Sequence, residues 1–295
     1  MKYVKLLPWL LVLLFFAAAC ATQAPAPAEG EQEAEEPEVV EKEEQEMRRV
    51  TEEVKLVKQK LTYFPDGVLD QYRVYVYPEE GTRLLEEKLY NAEDALQERV
   101  EYVHENGQRM KKNLYNGDGE LQRSHDYSYD EAGNLVKDAL YDSKEQLQSR
   151  SEYRYNEQEK KVEWRVYDNS GDLLSYTEYT YEDGKNTRIE NYRPGGTLDD
   201  YFVIEYDQQG RKTRSTWYDA KDEIVQYRTF SYSDGGLTQE VVHRANDSVK
   251  LRIVYTNNEA GKPVKVQYED ADGDVREIVS YEYVTRTETR MVKAE

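Results

Sequence analysis

Tyrosine returns along this chain at nearly constant steps. Starting from Tyr63 it recurs at Tyr77, Tyr90, Tyr115, Tyr129, Tyr141, Tyr155, Tyr167, Tyr181, Tyr192, Tyr206, Tyr218, Tyr232, Tyr255 and Tyr268. The step is 12 to 14 residues almost throughout, and two slots, His104 and Arg244, hold another residue. A fixed internal period means that one small structural unit is copied along the chain, each copy burying surface against the next.

The runs between these tyrosines are rich in Tyr, Val, Thr and Ile and are bounded by stretches such as FPDG, DEAG, DNSG, SDGG and DADG. Such runs are strands, and such boundaries are turns. Gly133 and Gly171 sit in these turns, where glycine supplies the positive φ that tight hairpins need. Asp and Asn open the turns because their side chains bond the backbone two residues on. Strands joined by short turns are antiparallel neighbours. Alternate strands end in Tyr-x-Tyr, as at Tyr127/Tyr129, Tyr153/Tyr155 and Tyr179/Tyr181, and those between end in apolar-Tyr, as at Leu140-Tyr141 and Val166-Tyr167. The unit is therefore two strands and about 26 residues, repeated about nine times over residues 52–283.

The expected fold class is all-β: an elongated antiparallel β-meander, solenoid-like, behind a disordered or partly helical N-terminal tether. Residues 1–19 read as a signal segment, 20–50 as a tether, 51–285 as the repeat domain and 286–295 as a tail. Side-chain parity puts Leu147, Tyr153 and Tyr155 on one face, while Val162, Trp164 and Val166 lie opposite Tyr167. Apolar groups thus fall on both faces, which suits a twisted or spiralling sheet. An 18-stranded membrane barrel is set aside, because SRSEYRY and LQRSHDY put charges at strand centres where an unbroken apolar outer face is required.

Lys2, Lys5 and the apolar run Leu6–Phe16 make an export signal too short to span a bilayer. Residues 21–47 hold ten acids against one base, a composition that stays extended by self-repulsion. Met47, Val50, Val54, Val57 and Leu61 fit a helical stripe, yet residues 52–61 also fit a strand, and the strands that follow favour the latter. Residues 61–295 carry 48 acids and 32 bases, a net charge of −16. That charge repels nucleic acid, whose binding depends on neutralising phosphates. No intrachain disulfide can form with Cys20 as the only cysteine.

Small residues directly before that lone cysteine, in LFFAAAC, resemble the lipobox of bacterial lipoproteins. The resemblance implies a lipid anchor at Cys20 as the link to the membrane, and Ala21, not Asp, after it implies the outer membrane. YDEAGNL (Tyr129–Leu135) and YDNSGDL (Tyr167–Leu173) resemble the YD repeat of RHS-type proteins, and the Tyr- and Gly-punctuated hairpins resemble MORN-like repeats. RHS repeats spiral into shells around a cargo domain. This chain shows no DPxGxxD motif and has too few repeats for a large shell, so a shell is not expected.

His104, His125 and His243 lie on different repeats, so neither a catalytic nor a metal cluster is expected of them. Asp270, Asp272 and Asp274 in DADGD fail the calcium-loop test, since the sixth and twelfth positions are Val275 and Tyr281. No GxSxG, HExxH, P-loop or Rossmann glycine pattern occurs. The expectation is a non-enzymatic envelope or surface scaffold for a protein partner, without cofactor or metal. The alternative is a glycan-binding module using exposed tyrosines. Tyr129, Tyr141, Tyr155, Tyr167 and Tyr181 belong to the repeat itself. Tyr72, Tyr176, Tyr201 and Tyr227 depart from it, on the other face of long strands, and are the candidate partner-binding residues.

Overall fold

The computed structural model describes residues 47–293. The signal segment, Cys20 and the tether up to residue 46 lie outside the described residues.

Eighteen strands follow one another: β1 (Met47–Tyr63), β2 (Leu69–Val76), β3 (Glu86–Asn91), β4 (Leu96–Glu105), β5 (Gln108–Asn116), β6 (Leu121–Tyr129), β7 (Leu135–Asp142), β8 (Leu147–Tyr155) and β9 (Lys161–Asp168), then β10 (Leu173–Glu182), β11 (Lys185–Tyr192), β12 (Leu198–Tyr206), β13 (Lys212–Asp219), β14 (Ile224–Ser233), β15 (Gly236–Arg244), β16 (Val249–Asn257), β17 (Pro263–Glu269) and β18 (Val275–Lys293). Each pairs antiparallel with its neighbours in sequence, and β1 also pairs with β18. The result is one closed 18-stranded barrel.

Closure overturns the elongated open repeat. An open meander leaves two rows of unpaired N–H and C=O groups at its edges. Sheet twist accumulates from hairpin to hairpin, and here the first and last strands meet and satisfy each other. The partly helical reading is also corrected: no helix occurs among the described residues, and Met47–Tyr63 is strand throughout. Its Val50, Val54 and Val57 are β-branched, and β18 offers them a pleated partner, which outweighs the helical spacing.

The sheet reaches past both bounds expected from sequence. β1 begins before residue 51 and β18 ends after 285. Beyond the barrel rim the two strands run on as a ribbon, from Met47↔Lys293 to Val57↔Tyr283. A register shift between Val57 and Gln59 lies where the ribbon leaves the rim, as bulges do where a strand must bend.

The turns follow the sequence chemistry. Asp168 donates its N–H to the Asp172 carbonyl at 2.9 Å, and Gly171 N–H returns to the Asp168 carbonyl at 3.3 Å. The Asp168 carboxylate accepts N–H groups from Ser170 and Asp172. Gly171 then takes φ 95°, closing a type I turn with a left-handed residue. Asp270 acts in the same way toward Asp272 and Asp274, and it also accepts from Arg276.

A second device stitches hairpins together at the ribbon end. The hydroxyl of each final Tyr donates to the backbone carbonyl twenty residues earlier: Tyr77 to Val57, Tyr129 to Arg109, Tyr155 to Leu135, Tyr181 to Lys161, Tyr206 to Asn186, Tyr232 to Lys212 and Tyr283 to Pro263, all at 2.7–3.0 Å. Asn257 does the same to Leu237 through its amide. Apart from the bonds to Val57 and from Tyr283, which lie within the long strands β1 and β18, each bond joins an even-numbered strand's end to the start of the preceding strand, a pair that no turn connects at this end. The 26-residue period is thus a hydrogen-bond period.

Few side chains are fully buried. A cluster of Ile253, Val266 and Val279 packs with Tyr255, Tyr268 and Tyr281. Charged groups stand on both faces: Arg73 and Glu87 on the face of the Tyr-x-Tyr pairs, Glu86, Lys88, Arg150 and Arg165 on the other. Neither face carries the unbroken apolar band that a bilayer requires. The closed ladder, the Tyr stitches and cross-strand pairs hold the barrel together, each worth little alone and repeated many times.

Candidate functional site

Tyr72, Tyr176, Tyr201 and Tyr227 occupy equivalent places, and the structure commits them to the sheet. Each stacks on the ring opposite it: Tyr72 on Tyr90, Tyr176 on Tyr192, Tyr201 on Tyr218 and Tyr227 on His243, with centroids 4.5–5.0 Å apart. The Arg188 guanidinium lies 3.9 Å from the Tyr201 ring, and that of Arg214 3.8 Å from the Tyr227 ring. Tyr201 and Tyr227 are therefore sandwiched and buried. Three hydroxyls are spent on the next turn: Tyr72 on Asp94, Tyr201 on Asp222 and Tyr227 on Asp247, at 2.7–2.8 Å. The bond to Asp94 pushes the Tyr72 phenol up to about 12. Asp94, Asp222 and Asp247 hold positive φ where other turns have glycine. Tyr176 faces a turn with Gly196 instead, and its hydroxyl lies against that glycine. An outlying tyrosine thus goes with an acidic left-handed turn residue in three cases of four. The rings offer no open stack of four faces.

The consensus residues keep their repeat roles. Tyr129, Tyr155 and Tyr181 are stitches. Tyr167 lies beneath the Arg150 guanidinium, and Tyr141 pairs with Ser124. His125 bonds Asp138 at 2.7 Å, and His243 stacks on Tyr227. Among the described residues no group of His, Cys, Asp and Glu could hold a metal ion.

His104 is different. It fills a stitch slot, yet its Nδ1 is buried without a hydrogen-bond partner. The regular offset points it at Leu84, in residues 77–85, the longest connection between strands in the barrel. β3 begins late, at Glu86, so its first residues become loop. The missing stitch and the long loop leave a cleft of about 730 Å³ at the ribbon end, bordered by Arg83, Leu84, His104, Arg109, Tyr127 and Glu288. The ribbon forms one wall, and Thr82 donates to Glu288 at 3.3 Å. A second cleft of about 690 Å³ shares Gly81 and Thr289 with the first and adds Arg49 and Arg286 together with Glu79 and Glu80.

The electrostatics of this end are unusual for so acidic a barrel. Most arginines elsewhere pair with carboxylates, as Arg73, Arg99, Arg150, Arg165 and Arg228 do. Arg83, Arg109 and Arg286 have no carboxylate partner among the described residues, and Nε of Arg109 and of Arg286 is buried without a partner. Arg109 is held in place by the Tyr102 ring, 4.1 Å from its guanidinium carbon. Burial, then Arg109, then Arg83 hold the His104 imidazole below its ordinary range, so it is neutral at pH 7. Burial, then Asp138, push the Tyr127 phenol up to about 12, so it keeps its proton as a donor. The cleft therefore offers two guanidinium groups and neutral donors, beside the single carboxylate of Glu288. Its signal in the sequence was His104 as a break in the tyrosine series. The unpaired state of Arg83 and Arg109 had no signal there, because pairing depends on which carboxylates the sheet brings alongside.

No family model matches the chain, and no curated protein matches it. Among solved structures, a porin-like protein from Bacteroides uniformis is similar over 81% of this chain and 98% of its own, at 11% identity and a TM-score of 0.40. A porin-like protein from Bacteroides vulgatus is similar over 77% and 98%, at 10% identity and a TM-score of 0.26. The Tc holotoxin pore of Photorhabdus luminescens is similar over 74% of this chain and 15% of its own, at 12% identity and a TM-score of 0.22. Likenesses at this level carry no argument about what the chain does.

Proposed function

We propose that this chain is a non-enzymatic binding barrel of the bacterial envelope, lipid-anchored at Cys20 in the outer membrane, which engages a protein partner at its ribbon end. One observation carries the reading. The repeat is broken where its longest loop, two adjoining clefts and three arginines without a carboxylate partner among the described residues coincide. A construction unit copied around a barrel serves stability, and function is sought where the copy departs. The guanidinium groups there that lack a carboxylate partner can meet an electronegative group on the partner.

The test replaces the loop Pro78–Leu84 by a tight Asn-Gly connection like that at Asn106-Gly107. Capture of a specific partner from envelope extracts should be lost while the β circular dichroism and the melting transition persist. Undiminished capture by the shortened variant would overturn the reading. For the anchor, Cys20→Ser should release the protein from membranes, and continued membrane association would refute lipidation.

A further inference from the structure

We infer that the His104 cleft is a binding site for a carboxylate group, held between the guanidinium groups of Arg83 and Arg109 and carried by a ligand with an uncharged body. The inference rests on the ribbon-end reading above and names what that end recognises.

Four observations carry it. Arg109 has a buried Nε without a partner and a guanidinium fixed against Tyr102, so one arm of a fork is pre-set. Planar forks of this kind match carboxylates through paired, charge-assisted hydrogen bonds. Arg83, on the loop, borders the same cleft as His104 and Arg109. His104, whose Nδ1 is buried without a hydrogen-bond partner, borders the same cleft. The fourth observation is size: about 730 Å³ is far more than a bare carboxylate fills and falls in the range of small-molecule sites. Leu84, Leu135 and the Tyr127 ring give the rest of that ligand apolar contact. Glu288 is the one carboxylate on the wall, and Thr82 donates to it at 3.3 Å.

The carboxylate can belong to a sugar acid or to an acidic side chain, and calorimetric titration of the full-length protein separates the two. The probes are glucuronate and N-acetyl-glutamate, with glucose and N-acetyl-glutamine as uncharged counterparts. One of the two acids should bind at least tenfold more tightly than its counterpart, and the one that does identifies the source. Arg83→Gln, on an exposed loop, should weaken that binding about tenfold. His104→Tyr should abolish it by placing a phenol in the cleft and restoring the stitch to Leu84, with the barrel intact by melting. Equal binding of acid and counterpart, no binding of either acid, or binding unchanged in both variants would overturn the inference. Inorganic sulfate competing as well as the acid would also overturn it, leaving a generic anion site. If neither acid binds while the loop-shortened variant still loses its partner, the carboxylate site fails and the ribbon-end reading stands.

Discussion

The hydroxyl of Tyr201 donates to the carboxylate of Asp222 at 2.7 Å, across 21 residues of sequence. Asp222 holds φ 64°, a conformation that costs a non-glycine residue energy. The tyrosine bond offsets part of that cost. The same pairing recurs in Tyr72 with Asp94 and Tyr227 with Asp247, so residues that look like departures from the repeat form a second motif within it. Tyr201→Phe should lower unfolding free energy by about 1 kcal/mol. In an Asp222→Gly background the same change should cost much less. Denaturant melts of the two single variants and the double variant measure this coupling, and additive effects would show that the bond contributes nothing.

His104→Tyr should raise stability by about 1 kcal/mol, one hydrogen bond's worth, because seven other tyrosines and Asn257 already make the equivalent bond. Thermal melting checks this. A loss of stability would mean that the cleft does not admit the phenol and that the slot differs in backbone geometry.

Barrel closure can be tested chemically. Leu61 on β1 lies opposite Ser280 on β18. Directly opposed residues of an antiparallel pair stand about 4.5–5.5 Å apart at Cα, within disulfide reach. In a Cys20→Ser background, Leu61→Cys with Ser280→Cys should crosslink on mild oxidation and shift in non-reducing electrophoresis. An open sheet would keep these strands at opposite edges, and no crosslink would form.

Acid should weaken the turns. Hydrogen bonds hold the carboxyls of Asp130, Asp168 and Asp219 below the ordinary value of 3.8: from the Asn134 side chain in Asp130, the Ser170 hydroxyl in Asp168 and the Glu223 N–H in Asp219. A carboxyl whose folded value is depressed stabilises the fold above its unfolded value. That contribution is lost as pH falls through the folded value. Stability should therefore drop below about pH 4. Changing all three to Asn should flatten this fall, because Asn156 and Asn258 make the same turn without a charge. Melting temperatures from pH 7 downward, for wild type and variant, decide it. An equally steep fall in the variant would remove these turns from the account.

Much of this architecture was legible from residues alone. Local rules set the strands and the turns: Tyr129, Asp130 and Gly133 mark one strand's end and its turn, and the structure has β6 end at Tyr129 and β7 begin at Leu135. Side-chain alternation set which residues share a face within each paired run, with Tyr176 opposite Tyr192 and Tyr153 opposite Trp164, but the bulge between Leu147 and Ser149 puts Leu147 on the other face from Tyr153, against the simple alternation. These features depend on near neighbours, whose geometry the chain dictates directly. Closure was not legible. Whether Leu61 meets Ser280 depends on twist summed over every hairpin between them, and no short stretch records that sum. The sandwiching of Tyr201 between Tyr218 and Arg188, and the partnerless Nε of Arg109, were hidden for the same reason. Sequence determined the unit and its turns because their energetics are local. The tertiary structure alone decided that the sheet closes, which tyrosines are spent within it, and which arginines remain unpaired, because those outcomes depend on groups that only the closed barrel brings together.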